Sequence, residues 1–221
     1  MTKNIDQSIK DRLKNLARSS GRDYNFVCIQ YMHERFLARL EQSDYKERFF
    51  LKGALLLLAY DVSRVRPTKD IDFLGSHLSN QSDDIESAIR QITKINLEDG
   101  VQFHGDKIKI DEITKDADYA GLRVRLSASV GGDHQRLQID IGFGDVIVHG
   151  PVEMSYPAML DFEPPKVNAY SLESAIQDSN KAKQWVAFLR RTTIDEQVSF
   201  ESVMEDLKVY FSKDLNLVKF D

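Results

Sequence analysis

Two runs of strictly alternating apolar and polar residues occupy the middle of the chain, with a glycine pair between them. In Leu122–Val130 and again in Leu137–Phe143, every second residue is apolar or small. A period of two belongs to a β-strand buried on one face. The runs therefore read as a hairpin turning at Gly131-Gly132-Asp133-His134. With that turn centred on Gly132-Asp133, Arg125 is expected opposite Asp140, where an ion pair would keep the carboxylate charged. A slip of one residue would carry the whole set to the other face. Leu137, Ile139, Ile141 and Phe143 face one way, so Asp140 faces the other. An acid in a run this apolar needs a partner or a metal.

The remaining elements follow from periodicity. Ile9, Leu13, Leu16 and Ala17 mark a first helix, stopped by Gly21. A second starts near Asp23 with an apolar stripe of Phe26, Ile29, Met32, His33, Phe36, Leu37 and Leu40. Glu34, Arg35, Arg39 and Glu41 are assigned to its opposite, polar side. His33 and Cys28 read as packing residues. Phe49–Leu51 is a short buried strand and Ala54–Tyr60 a buried helix. A polar loop covers Asp61–Lys69, and Asp70–Leu74 is a half-buried strand. Ser82–Lys94 is an amphipathic helix with Asp83, Asp84 and Glu86 near its start, where the helix dipole favours acids. Val101–His104 and Lys107–Ile113 read as strands around a Gly105-Asp106 turn. Pro164-Pro165 separates a domain over residues 1–165 from a helical C-terminal region over 166–221.

Of the 221 residues, 42% are apolar and 29% charged, enough for a core and against wholesale disorder. The net charge of −5 excludes a basic protein that coats nucleic acid, although it leaves local basic surfaces open. A single cysteine forbids an internal disulfide and a cysteine-based zinc cluster. The longest apolar stretch, Gly53–Tyr60, falls short of the ~20 residues that span a bilayer. The opening Met1-Thr2-Lys3-Asn4 is polar and does not read as a secretory signal. A cytoplasmic protein with no membrane partner is expected.

Asp70-Ile71-Asp72 carries the clearest chemistry. Residues two apart on a strand share a face, so these carboxylates point together and repel. A divalent cation removes that cost, and hard oxygen ligands suit Mg²⁺. For an isolated Asp-x-Asp, a solvated strand edge would be the simpler reading. Asp140 on a neighbouring strand changes that balance, because three carboxylates are the ingredients of a two-metal site. Upstream, Lys52-Gly53 joins a strand to an apolar helix, where glycine permits close backbone approach to a phosphate.

These residues lie in longer segments that resemble a known family. Glu34-Arg35-Phe36-Leu37-Ala38-Arg39-Leu40, Ser43-Asp44-Tyr45, Phe50-Leu51-Lys52-Gly53-Ala54-Leu55-Leu56-Leu57 and Arg66-Pro67-Thr68-Lys69-Asp70-Ile71-Asp72-Phe73-Leu74-Gly75 resemble the AbiEii-like nucleotidyltransferases. These are toxins of type IV toxin–antitoxin and abortive-infection systems. Tyr156–Asp161, Ala169–Glu173 and Gln184–Leu189 resemble the family too. The resemblance implies an α+β fold of the DNA polymerase β-like nucleotidyltransferase type: a mixed sheet flanked by helices, with helical N-terminal and C-terminal regions. It implies Mg²⁺ or Mn²⁺ held by Asp70, Asp72 and Asp140, and an NTP substrate near Lys52, Gly53, Ala54 and Thr68. Arg66 would touch phosphate. The superfamily's usual Gly-Ser is Gly53-Ala54 here, so a phosphate-binding hydroxyl is replaced by backbone donors alone.

One segment departs from the pattern. After Tyr170-Ser171-Leu172-Glu173, relatives continue toward an Arg-x-Lys-Asp-x-x-Asp segment bearing a catalytic lysine. Here Ala175–Asn180 runs almost directly into the tail, so the resemblance implies that several tens of the family's residues are absent near 176–180, by true deletion or by omission from this sequence, and the C-terminal region is expected to be incomplete. Two functions follow. The first is metal-dependent transfer of a nucleotide from an NTP to an RNA, such as tRNA, or to a protein, with a cognate antitoxin as partner. The second is a relic that binds nucleotide, RNA or antitoxin without turnover. An Asp-x-Asp glycosyltransferase fits less well, because its nucleotide-sugar domain should be larger.

Overall fold

The computed structural model describes residues 2–59, 68–116, 119–147, 150–171 and 174. The chain divides into two compact units, Met1–Tyr170 and Ser171–Asp221. The second unit, with its expected helices and the 176–180 segment, lies almost wholly outside the described residues. The expected boundary at residue 165 falls ahead of a strand that belongs to the sheet, Lys166–Ala169.

In the first unit, helices α1 (Thr2–Ser20), α2 (Tyr24–Glu41), α3 (Gly53–Ala59) and α4 (Ser82–Thr93) accompany seven strands. These are β1 (Phe49–Lys52), β2 (Asp70–Gly75), β3 (Val101–Asp116), β4 (Tyr119–Val130), β5 (Asp133–Phe143), β6 (Val152–Ser155) and β7 (Lys166–Ala169). They form one mixed sheet in the order β3-β4-β5-β2-β1-β7-β6. The β2–β5 and β1–β7 pairs are parallel and the others antiparallel. The fold is thus the expected mixed sheet with helices.

Local chemistry sets the helix ends. Gly21, at φ +65°, lets α1 close with Arg22 N–H donating to Ala17 O (3.0 Å) and Gly21 N–H to Arg18 O (3.4 Å), a Schellman pattern. Asp23 then caps α2 by accepting from Phe26 N–H at 3.0 Å.

One sheet face is the core. Phe49, Leu51, Ile71, Phe73, Leu122, Val124, Leu126, Leu137, Ile139 and Ile141 are all buried. Phe36 of α2 meets Phe73, which also stacks edge-on with Phe49 at 5.4 Å between centroids.

The amphipathic reading of α2 needs correction. Glu34, Arg35 and Arg39, assigned to its polar side, are buried along with the apolar stripe. Arg39 forms a two-pronged pair with Asp99, at 2.7 and 2.9 Å, and donates to the carbonyls of Arg35 and Val101. Glu34 pairs with Arg35 and accepts from Met159 N–H at 2.7 Å, while the Arg35 guanidinium lies 4.7 Å from the Phe162 ring centroid. Helix α2 is therefore enclosed by loops that its own charges recruit. Burial raises the Glu34 carboxyl above its ordinary range, with Arg35 and the Met159 N–H opposing.

Three strand expectations also change. Gly105-Asp106 is no turn: β3 runs through it as one strand with an irregularity between His104 and Lys109. Strands β6 and β7 add an edge that alternation did not signal. The hairpin turns on Gly131-Gly132 alone, with φ of +53° and +84° and Val130 facing Asp133. Two positive φ values are the signature of the two-residue turn that matches strand twist.

Two stability measurements test the α2 interior. Removing the Asp99 carboxylate (Asp99→Ala) strands the Arg39 charge and should cost ~3–5 kcal/mol in urea unfolding, whereas Arg39→Met with Asp99→Leu should recover most of it. His33, expected to be a packing residue, is fully buried; burial lowers its pKa from the ordinary 6.5 to about 4, with the Lys69 backbone pulling weakly the other way. Below pH 6.5 the unfolded chain binds a proton there that the folded chain refuses until about pH 4. Stability should therefore fall across that window by ~3 kcal/mol from this group, and His33→Leu should flatten that part of the urea midpoint–pH curve.

Candidate active site

Strand register assembles the site. On the face opposite the core, β4, β5, β2 and β1 bring four charged residues into one cross-strand row. Arg123 faces Asp140, Asp140 faces Asp72, and Asp72 faces Lys52. Adjacent strands lie ~4.8 Å apart, so the row reads plus, minus, minus, plus over ~14 Å. Asp70, two residues from Asp72 on β2, shares that face one step along, opposite Gln138. Sequence alternation thus put all three acids on the correct side.

Asp140 is 4% exposed and anchored by Arg123, whose Nε donates to Oδ1 at 2.8 Å and Nη2 to Oδ2 at 2.7 Å. A planar guanidinium suits that two-pronged grip. The Asp140 hydrogen bonds raise the Arg123 pKa, against burial, with further contributions from the charges of Asp140, Asp70 and Asp72. Arg125, the partner expected from sequence, faces Gln138 instead and pairs with Asp111 on β3. The error came from a turn two residues shorter than assumed. An even shift keeps the parity, so the arginine that meets Asp140 comes from the same strand and the same face.

The residues expected at the nucleotide divide into distinct settings. Gly53 begins α3 at φ +71°, and a Cβ there would lie 2.8 Å from Cγ and 2.9 Å from Cβ of Asp72. Its glycine is therefore required both by backbone conformation and by the acid packed against it. Ala54 follows in α3. Thr68 both donates to and accepts from the Asp70 backbone, at 3.1 and 3.3 Å, so its hydroxyl fixes the start of β2. Arg66 lies outside the described residues.

Lys52 reaches across Gly142, where a Cβ would sit 3.2 Å from its Nζ, and pairs with Asp145. Tyr170 O–H donates to the same Asp145 carboxylate at 2.9 Å, and Lys52 Nζ is 5.7 Å from the Tyr170 ring centroid. Sequence reasoning did not find Asp145 or Tyr170. The available signal was the glycine-spaced end of β5, Gly142-Phe143-Gly144-Asp145, which places an acid just past a strand already carrying Asp140.

Among the described residues, no three Asp, Glu, His or Cys side chains form a ready-made metal cage. The donor set still suits a hard cation. Mg²⁺ is usually held by one or two carboxylates plus water and substrate phosphates, and Asp70 and Asp72 provide two on one face.

A strand bearing two acids, entered after a glycine-started helix and paired in parallel with a strand bearing a third, is the arrangement expected of a nucleotidyltransferase domain. The chain belongs to the AbiEii family: the model for "Nucleotidyl transferase AbiEii toxin, Type IV TA system" matches residues 35–178, well over half its length. No curated protein sequence matches it. Among solved structures, JHP933 from Helicobacter pylori is 18% identical with a TM-score of 0.43, over 72% of this chain and 58% of that one. The chain thus spans little more than half of JHP933. A second H. pylori protein, described as a candidate nucleotidyltransferase, is 11% identical with a TM-score of 0.44, over 90% of this chain and 100% of that one. No described helix is long and apolar enough to cross a membrane.

The Gly53 geometry can be checked directly. Gly53→Ala must adopt a left-handed backbone and displace Asp72, which should cost ~1–3 kcal/mol of stability. If Asp72 holds a metal as the resemblance implies, Mn²⁺ binding, read by the loss of free-ion paramagnetic resonance signal, should weaken in parallel. Unchanged stability together with unchanged Mn²⁺ affinity would contradict this account of the glycine.

Proposed function

We propose that the protein is a metal-dependent nucleotidyltransferase toxin that moves a nucleotide from an NTP to an RNA acceptor such as tRNA, or to a protein, and is countered by a cognate antitoxin. The observation that carries this reading is the register row, which sets Asp140 beside Asp72 with Asp70 on the same face. In this proposal Asp70 and Asp72 hold Mg²⁺ or Mn²⁺, with Asp140 as the third acid. The bound ion would supply charge neutralisation on the triphosphate and activation of the attacking hydroxyl. Arg123 fixes the orientation of Asp140 by its two-pronged grip. Lys52, at the far end of the row, faces the phosphates, and Asp145 and Tyr170 hold its ammonium in place. Gly53 and Ala54 bring backbone to the nucleotide. Thr68 acts through the position of Asp70, and Arg66 is assigned to phosphate on the family resemblance.

The test is incubation with Mg²⁺, each labelled NTP in turn, and total tRNA or protein extract. Transfer of label to one acceptor class is expected, and Asp72→Asn should reduce it at least ~100-fold, as expected for loss of a preorganised charge-stabilising group. Nucleotide or RNA binding by the wild-type chain without transfer would instead support the relic.

A further inference from the structure

The acid row occupies only one end of its sheet face. The same face continues outward over β3, β4 and β5, and register identifies its residues. On β4 these are Arg123, Arg125, Ser127 and Ser129; on β5, Asp140, Gln138, Arg136 and His134. On β3 they are Asp111, Lys109, His104 and Gln102. Contacts confirm the shared face: His104 Nε2 lies 3.1 Å from Ser129 Oγ, and the His104 and His134 rings stack at 5.7 Å between centroids. The opposite face carries the buried apolar residues of the core, while Gln102, Lys109, Arg125, His134 and Arg136 are exposed.

The charge on this face runs against that of the chain. Its four cations, Lys109, Arg123, Arg125 and Arg136, exceed its two carboxylates, Asp111 and Asp140, for 4 − 2 = +2, in a protein of net charge −5. Asp140 and Asp111 engage Arg123 and Arg125. Lys109 and Arg136 have no ion-pair partner among the described residues. Between these cations lie hydroxyl and amide groups and an exposed imidazole ring. Arginine planes, histidine rings and polar hydrogen-bonding groups on an open sheet are the chemistry that holds a single-stranded RNA, by stacking on bases and neutralising phosphates. From His134 to Asp140 the surface runs ~20 Å at 3.4 Å per residue, the reach of a few nucleotides.

We propose that the solvent-facing side of β3–β4–β5 is an RNA-binding surface that leads a single-stranded acceptor end onto Asp70, Asp72 and Asp140. The inference rests on the RNA-acceptor form of the proposed function and gives it a location. The other basic stripe, Lys10, Lys14, Arg18 and Arg22, is centred on α1, which packs against the hairpin's turn end. There Lys10 is bound to Asp133 and the Gly131 carbonyl. That stripe serves as the control.

The experiment measures binding of a fluorescein-labelled single-stranded RNA to the full chain by anisotropy across a salt series, without NTP or metal. Lys109→Gln with Arg136→Gln changes only exposed side chains. It should weaken binding ~5–10-fold and flatten the log K against log salt slope by ~1.4, at ~0.7 for each phosphate that is no longer neutralised. The control, Lys14→Gln with Arg18→Gln, should leave both nearly unchanged. Equal binding by wild type and the sheet variant, an equal loss in the control, or no binding by the wild type at low salt would each overturn the surface. The transfer assay separates this from the parent reading. Binding lost in the sheet variant with no transfer by wild type keeps the surface and rejects the enzyme. Transfer to RNA unaffected by the sheet variant keeps the enzyme and rejects the surface.

Discussion

Everything at the site depends on the register of β5, and that register is held from two sides. The Gly131-Gly132 turn fixes β5 against β4, which delivers Arg123 to Asp140. Parallel pairing fixes β5 against β2, which delivers Asp140 to Asp72. The core face supplies the energy. Ile139 and Ile141 are fully buried, so any odd slip of β5 would exchange them with Asp140 and Gln138. Apolar burial on one face therefore helps keep the carboxylates assembled on the other.

The α2 interior shows the same division of labour in a different form. Its buried charges do not compete with the apolar core; they fasten surrounding loops to it. Arg39 holds the Asp99–Val101 turn, and Glu34 holds the backbone at Met159. Pairs of this kind gain little over apolar packing, yet losing one member is costly. They specify where the loops lie more than they add to stability.

The parts of the fold that could be read in the sequence are those with a repeating period. The alternation in β4 and β5, the Asp-x-Asp strand and the helical stripes of α1, α2 and α4 gave correct elements, and the face of each acid followed. Most of what failed depended on the spacing between segments. Glu34, Arg35 and Arg39 looked solvent-facing because a helix reports its own stripe and not the loops that cover it. Arg125 is expected where Arg123 is found because alternation gives parity while only turn geometry gives register. Strands β6 and β7, four residues each, are too short for a period to show. Asp145 had only the weak signal of a glycine-spaced strand end, and Tyr170 had none, because only the folded chain brings them to Lys52.

Parity also bears on how such a chain can change over generations. A residue inserted between Asp133 and Asp140 would turn the rest of β5 inside out, placing Asp140 in the core and an isoleucine among the acids. Two inserted residues would preserve inside and outside but slide Asp140 past Asp72 by ~7 Å. Neither leaves the carboxylates side by side. A change of length would therefore leave the acid row intact only at the hairpin tip or in the neighbouring outer strand β3, which already carries an irregularity without disturbing that row.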